Sequence, residues 1–140
     1  MKNVYEVFEE FKKAKTKQEK IEVLRKNQSY ALISVLQGSF APYIKFIFDQ
    51  PVEYKASDAP IGLGYSSIHH ELGRVYLFEA DNPKVSPNLT FQRKKEILIQ
   101  ILESLEAKEA EIFMNMLLKR QAVKGLNWEI VLEAFPQLAR

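Results

Sequence analysis

The chain has 140 residues, 46% of them hydrophobic and 27% charged, with no cysteine and a formal net charge of +2. This is one domain's worth of sequence with enough apolar material for a core, so a disordered chain is excluded, as are disulfides, thiolate nucleophiles and cysteine zinc sites. The charge balance is too small to imply nucleic-acid binding by itself, so any basic surface has to be local. No apolar run approaches the length of a membrane span, and residues 1–13 mix Glu with Lys and lack a signal-peptide core. The expected location is the cytoplasm.

The first element is a helix over 3–14, with Val4, Val7, Phe8 and Phe11 at helical spacing. Thr16-Lys17-Gln18-Glu19 then reads as a capping box, with Thr16 and Glu19 satisfying each other's amides. Ile21 and Leu24 form the buried stripe of the second helix, which ends near Asn27. A third runs from Ser29 to Leu36 and is stopped by Gly38; Ser39 caps a fourth, which continues to Phe48. Residues 49–65 hold Pro51, Pro60, Gly62 and Gly64 and predict a long ordered loop. Ser67 caps a fifth helix through Tyr76 and Phe78. After a second loop over 82–88, Thr90 opens a helix through Ile97, Leu98, Ile101 and Leu102. Another covers 107–120, with Ala110, Phe113, Met114 and Leu117 inward. Gly125 makes a turn, Asn127 caps a last short helix and Pro136 closes it. With no strand pair and no repeat, the expectation is a single all-α domain over 1–140, a compact bundle of about seven or eight short helices.

Catalytic signatures are missing. There is no Asp-Gly pair, hence no Lys-x-Asp-Gly nucleotidyl-transfer motif, and no phosphate-binding Gly-x-x-x-x-Gly-Lys loop. His69 and His70 point about 100° apart on a helix and make a poor metal pair, one facing in and the other out. Gly62-Leu63-Gly64 lacks the third glycine of a dinucleotide loop and reads as a turn. Glu103, Glu106, Glu109 and Glu111 read as a solvated helix face. Phe40, Tyr43, Phe46 and Phe48 could stack bases, but their spacing is also that of a helical core. Neither a catalytic residue nor a metal site, cofactor or small-molecule substrate is expected.

Two basic features remain. Lys12, Lys13, Lys15, Lys17 and Lys20, followed by Arg25 and Lys26, run across the first helix pair. In the second, a helix ends in Lys119-Arg120, the chain turns through Lys124-Gly125, and a new helix starts at Asn127. Free amides at that start and the cations around it suit a phosphate oxygen. Dipole compensation at a helix end, with Gly125 as a stop, uses the same residues.

The order of these features resembles the N-terminal DNA-binding domain of ATP-dependent DNA ligases from large tailed phages. The resemblance is carried by Ala14-Lys15-Thr16-Lys17-Gln18-Glu19-Lys20, by 21–27, and by Tyr43-Ile44-Lys45 leading to Pro51. Leu89-Thr90, 109–119, and Gly125 before Phe135-Pro136-Gln137-Leu138 complete it. The chain is also similar to small standalone proteins of phages that infect marine cyanobacteria, which share the loop Lys55-Ala56-Ser57-Asp58-Ala59-Pro60-Ile61-Gly62-Leu63-Gly64-Tyr65. The ligase resemblance implies a helical domain that grips the duplex backbone without reading sequence, while the catalytic domains lie elsewhere. It places Lys119, Arg120, Lys124, Gly125 and Asn127, with Lys17 and Lys20 at the second helix, where ligases approach phosphates. The leading expectation is therefore a non-catalytic duplex-DNA-binding phage protein, accessory to replication, repair or transcription. The alternative is a module that binds a phage or host protein, such as a sliding clamp or polymerase, with Tyr54, Ile61, Leu63 and Tyr65 as apolar anchors. No membrane partner is expected.

Overall fold

The computed structural model describes residues 2–60 and 63–140. Among these the chain forms α1 (Val4–Lys13), α2 (Lys17–Lys26), α3 (Tyr30–Phe40), α4 (Ile68–Glu71), α5 (Phe91–Ser104), α6 (Ala107–Leu117) and α7 (Trp128–Ala134). Two 3₁₀ segments, Leu72–Phe78 and Pro136–Leu138, follow α4 and α7. One isolated antiparallel bridge, Phe46 to Glu79, is the nearest approach to a sheet among the described residues. The all-α expectation holds.

Polar side chains start the helices. Asn3 accepts from the Glu6 amide at 2.9 Å and Glu6 reaches back to the Asn3 amide, a full capping box. Thr16, Ser29, Ser67, Thr90 and Asn127 each accept from an amide three residues on. At α2 the reciprocal half differs from expectation, since the Glu19 carboxylate accepts from the Lys15 amide, at 3.1 Å, and not from that of Thr16.

Helix α6 packs against α1, α3, α4 and α5. Its Ala110, Phe113, Met116 and Leu117 are almost wholly buried, with Phe11, Leu24, Leu36, Phe78 and Leu102 around them. Burying one such side chain contributes roughly 1.5–3 kcal/mol. Helix α7 lies on α2 and closes the other side of the bundle.

Gly38 does not stop α3; it lies inside it, where a Cβ would stand 2.7 Å from Met116 Sδ and 2.9 Å from Cγ. The missing side chain lets α3 and α6 approach closely. The expected fourth helix from Ser39 to Phe48 is absent. Ser39 is buried within α3, where its hydroxyl accepts from Gln121 Nε2 at 3.2 Å, so it cannot cap a new helix. The stop signal is Pro42, which forces the preceding Ala41 into an extended conformation (ψ 124°). Residues 41–48 instead run beside the 3₁₀ segment, with the Ile47 amide on Phe78 O at 2.9 Å and the Ala80 amide on Lys45 O at 2.8 Å. The single helix expected through Phe78 becomes one α-turn followed by 3₁₀ structure. Leu72, Val75 and Phe78 are spaced by three, so a three-residue turn puts all of them on the inner face.

Replacing Gly38 by Ala gains about 1 kcal/mol of helix propensity but overpacks the crossing by about 1–3 kcal/mol. Urea unfolding of Gly38→Ala should show a net loss of about 1 kcal/mol, and the same substitution should become stabilising in a Met116→Ala background.

Candidate nucleic-acid interface and apolar loop

The end of α1, the start of α2 and the 123–127 turn meet at one edge of the bundle. Lys12 and Lys13 close α1, Lys15 lies in the connection, and Lys17 and Lys20 are in the first turn of α2. Gly125 has φ +83°, a left-handed turn that glycine enters without strain, and a Cβ there would stand 3.6 Å from Lys20 Cδ and Cε. Lys124 thus arrives on the same edge as Lys20. Lys20 donates to Phe11 O at 2.9 Å, with its ammonium 4.7 Å from the Phe11 ring centroid. Lys17 pairs with Glu133 at 3.0 Å and Lys12 with Glu9 at 3.1 Å. Lys13, Lys15 and Lys124 are exposed and have no carboxylate partner among the described residues. Asn127 uses its side chain to cap α7, accepting from the Ile130 amide at 3.0 Å.

Lys119 and Arg120 turn the other way. Lys119 sits at φ +56° just past α6, where its amide bonds Met116 O at 3.1 Å and the Arg120 amide bonds Asn115 O at 2.9 Å. That is the Schellman pattern, with lysine in the position glycine usually holds. The Lys119 ammonium donates to Ala41 O at 3.0 Å and lies 5.3 Å from the Phe46 ring centroid. Burial holds its pKa down to about 8. Arg120 donates to Asp49 O at 3.3 Å. Arg25, on α2, donates to Glu133 O at 2.8 Å and so satisfies the end of α7. The expected phosphate-binding set is thus divided: Lys17, Lys20, Lys124, Gly125 and Asn127 share the α1–α2 edge, while Lys119 and Arg120 face the 41–49 segment.

The loop after α3 is held at several points. Val52 is buried, and Tyr54 is half-buried against the core, its hydroxyl pKa raised by burial and then by Glu111. Tyr54 therefore faces inward, and among the described residues the apolar anchors left are Leu63 and Tyr65. The Lys55 amide donates to Glu103 at 2.8 Å and the Ser66 amide to Ser104 O at 2.9 Å. Gly64 lies so close to the α5–α6 junction that a Cβ would stand 2.7 Å from the Glu106 nitrogen. On either side of this clamped glycine, Leu63 is 70% exposed and Tyr65 93%. Ile61 lies outside the described residues.

Other expectations are corrected. Glu106 and Glu109 do not lie on a solvated face; both are buried. The Glu106 carboxylate caps α6 by accepting from the Glu109 amide at 2.6 Å and the Lys108 amide at 3.0 Å. Glu109 in turn accepts from the Ile68 amide, at 3.3 Å, at the start of α4. The signal was present in the sequence: a helix beginning at Ala107 needs a cap, and Glu106 was the only polar residue placed to supply it. His69 and His70 are both exposed, and His69 meets Tyr30 edge-on at 5.1 Å. Phe40, Tyr43, Phe46 and Phe48 are at least partly buried, in agreement with a core role.

Fold and surface together define a compact helical domain with a lysine-rich edge and a clamped apolar loop. The chain belongs to the family of unknown function DUF6433, whose model matches residues 7–123. The match takes in most of α1 and all of α2 to α6, and stops just before Lys124. No curated protein and no solved structure matches the chain. Among the described residues, no helix is long and apolar enough to cross a membrane.

Burial raises the Glu109 carboxyl above its ordinary value of 4.5; the Ile68 amide opposes this and Glu106 adds to it. A folded-state pKa above the unfolded one means that the native state binds the proton more tightly. Stability is then greatest below pH 4.5 for this group and falls as pH rises through the folded value. Glu109→Gln, which keeps an acceptor for Ile68, should flatten that part of the stability–pH profile and unfold at a higher urea concentration than the parent at pH 7.

Proposed function

We propose that this chain is a non-catalytic protein that binds duplex DNA through its lysine-rich edge, by contacts to phosphates and without reading sequence. The observation that carries the reading is the convergence of Lys12, Lys13, Lys15, Lys17, Lys20 and Lys124 where the 123–127 turn backs onto Lys20, opposed by Glu9, Glu19 and Glu133, with Glu10 and Glu22 in the groove beside Lys13. Lysines act as point charges toward phosphate and do not impose the planar geometry that arginine brings to base edges. Of the set that the ligase resemblance implies, Lys17, Lys20, Lys124, Gly125 and Asn127 support this edge, while Lys119 and Arg120 face the 41–49 segment; the same resemblance suggests an accessory role in replication, repair or transcription.

With only two or three phosphates neutralised, log affinity should fall with log salt at a slope of about −2 to −3. Lys15 and Lys124 hold nothing else in place through their ammonium groups, so Lys15→Ala with Lys124→Ala should weaken binding to unrelated duplexes alike and cut that slope by about 2 in fluorescence anisotropy titrations. Lys119→Ala should leave the titration unchanged. A parent protein that does not bind duplex at 20 mM-scale salt (roughly the regime where such contacts are strongest) overturns the reading.

A second reading rests on Tyr65 and Leu63, large apolar side chains held in solvent by a loop clamped to the α5–α6 junction. Rigid presentation lowers the ordering cost of binding, which favours a docking anchor for a phage or host protein. Affinity capture from infected cells should lose its partner with Leu63→Ala and Tyr65→Ala together and keep it with Lys15→Ala and Lys124→Ala. An unchanged partner list in the loop variant removes this reading.

A further inference from the structure

We propose that the cavity between the starts of α1, α3 and α4 binds a small apolar molecule through a single hydroxyl group, with Glu109 as the acceptor. The cavity holds about 420 Å³ and opens at the end of α1 remote from the lysine-rich edge. Val4, Ala31, Ile68, His69 and the Tyr30 ring form its walls, and Glu109 lines it from α6. Cavities of this size that are apolar but for one placed polar group suit small apolar ligands oriented by a hydrogen bond.

The wall carries other polar side chains, and they are already engaged. Asn3, Ser29 and Ser67 accept from amides of their own helices. The Ser66 hydroxyl donates to Glu71 at 2.7 Å, and the Lys2 ammonium pairs with Glu10. Glu109 differs. It is only 6% exposed, its Oε2 accepts from the Ile68 amide, and no donor among the described residues reaches Oε1. Among those residues no side-chain oxygen or nitrogen is both sealed off and unpartnered, so Oε1 borders open space, and the cavity is the space that Glu109 lines. A carboxylate oxygen drawn out of bulk water needs a donor in exchange.

The surrounding charge selects the kind of donor. An anionic ligand meets the Glu109 carboxylate. An ammonium meets Lys2 and the positive ends of α1 and α3, whose first residues, Val4 and Tyr30, are on the wall. A neutral donor escapes both penalties. The amides of Tyr30 and Ala31, the first two of α3, have no acceptor among the described residues, so a group that accepts as well as donates is favoured. A hydroxyl does both. The ligand class is therefore a small alcohol or phenol with an apolar body.

The test titrates the whole protein with p-cresol at neutral pH and follows the backbone amides by heteronuclear NMR. Those of Tyr30, Ala31, Ile68 and His69 should shift together and saturate. Toluene, which has the same ring and methyl group without the hydroxyl, should bind roughly ten- to a hundredfold more weakly, the worth of a hydrogen bond to a charged acceptor. Glu109→Gln keeps an acceptor for Ile68 but turns an amide donor toward the cavity. It should shrink the gap between p-cresol and toluene to a few-fold, and unchanged toluene binding shows that the cavity is still formed. Absence of saturable shifts at these four amides overturns the site. Equal affinity for p-cresol and toluene in the parent protein, or a gap that persists in Glu109→Gln, overturns the role of Glu109. Tighter binding of p-toluate or p-methylbenzylamine than of p-cresol overturns the assignment of a neutral hydroxyl.

Discussion

Helix α6 can be buried on several sides only because the amides of its first turn find acceptors away from water. An orphan amide in the interior costs roughly 1–3 kcal/mol, and α6 begins where the loop after α3, the end of α5 and the start of α4 all press against it. Glu106 answers with one carboxylate on two amides, and Glu109 extends the same solution to Ile68 at α4. The exposed loop and the 41–48 segment both hang on this helix. Its N-terminal junction clamps Gly64 and thereby displays Leu63 and Tyr65; its C-terminal turn sends Lys119 to Ala41 O and the face of Phe46.

The opposite problem, unsatisfied carbonyls at helix ends, accounts for much of the basic character. Lys20 donates into the end of α1, Arg25 into the end of α7, and Lys119 into the carbonyl that follows α3. Lysine and arginine near helix C-termini are favoured by the dipole as well as by these bonds. A cation that bridges two elements in this way fixes the angle between them, so part of the chain's positive charge acts as internal bracing. That is why a count of lysines along the sequence overstated the surface open to a polyanion. The loss falls at Lys119, and in part at Lys20 and Arg25, whereas the ammonium groups of Lys13, Lys15 and Lys124 bond no helix-end carbonyl among the described residues.

Helix starts were legible because each cap is a local event, a short polar side chain and the amide three residues on. Asn3, Ser29, Ser67, Thr90 and Asn127 needed no knowledge of the rest of the chain. Gly38 and Ser39 were misread for the complementary reason. Their roles are set by Met116 and Gln121, which lie far off in sequence, and nothing in their own neighbourhood distinguishes a glycine that ends a helix from one that makes room for another. The candidate edge was half legible. Its lysines on α1 and α2 are contiguous, but their meeting with Gly125 depends on how α7 lies against α2. Glu106 was legible as the cap before Ala107, whereas the burial of Glu109 was hidden because its bond to the Ile68 amide depends on how α4 meets α6.

The pairing of α2 with α7 has a consequence for how the chain reaches its final state. Arg25 bonds carbonyls at Glu133 and Ala134, and the Tyr43 hydroxyl bonds Leu138 O, contacts that join distant parts of the sequence. During synthesis α2 leaves the ribosome long before α7 exists. Helix α1 is already there to cover one side of α2, but the side that α7 takes must wait while about a hundred residues are added, some 5–20 s at ordinary elongation rates. The abundant surface charge of α2, with lysine or glutamate at Lys17, Glu19, Lys20, Glu22 and Lys26, keeps that waiting intermediate from joining its neighbours through its bare apolar stripe.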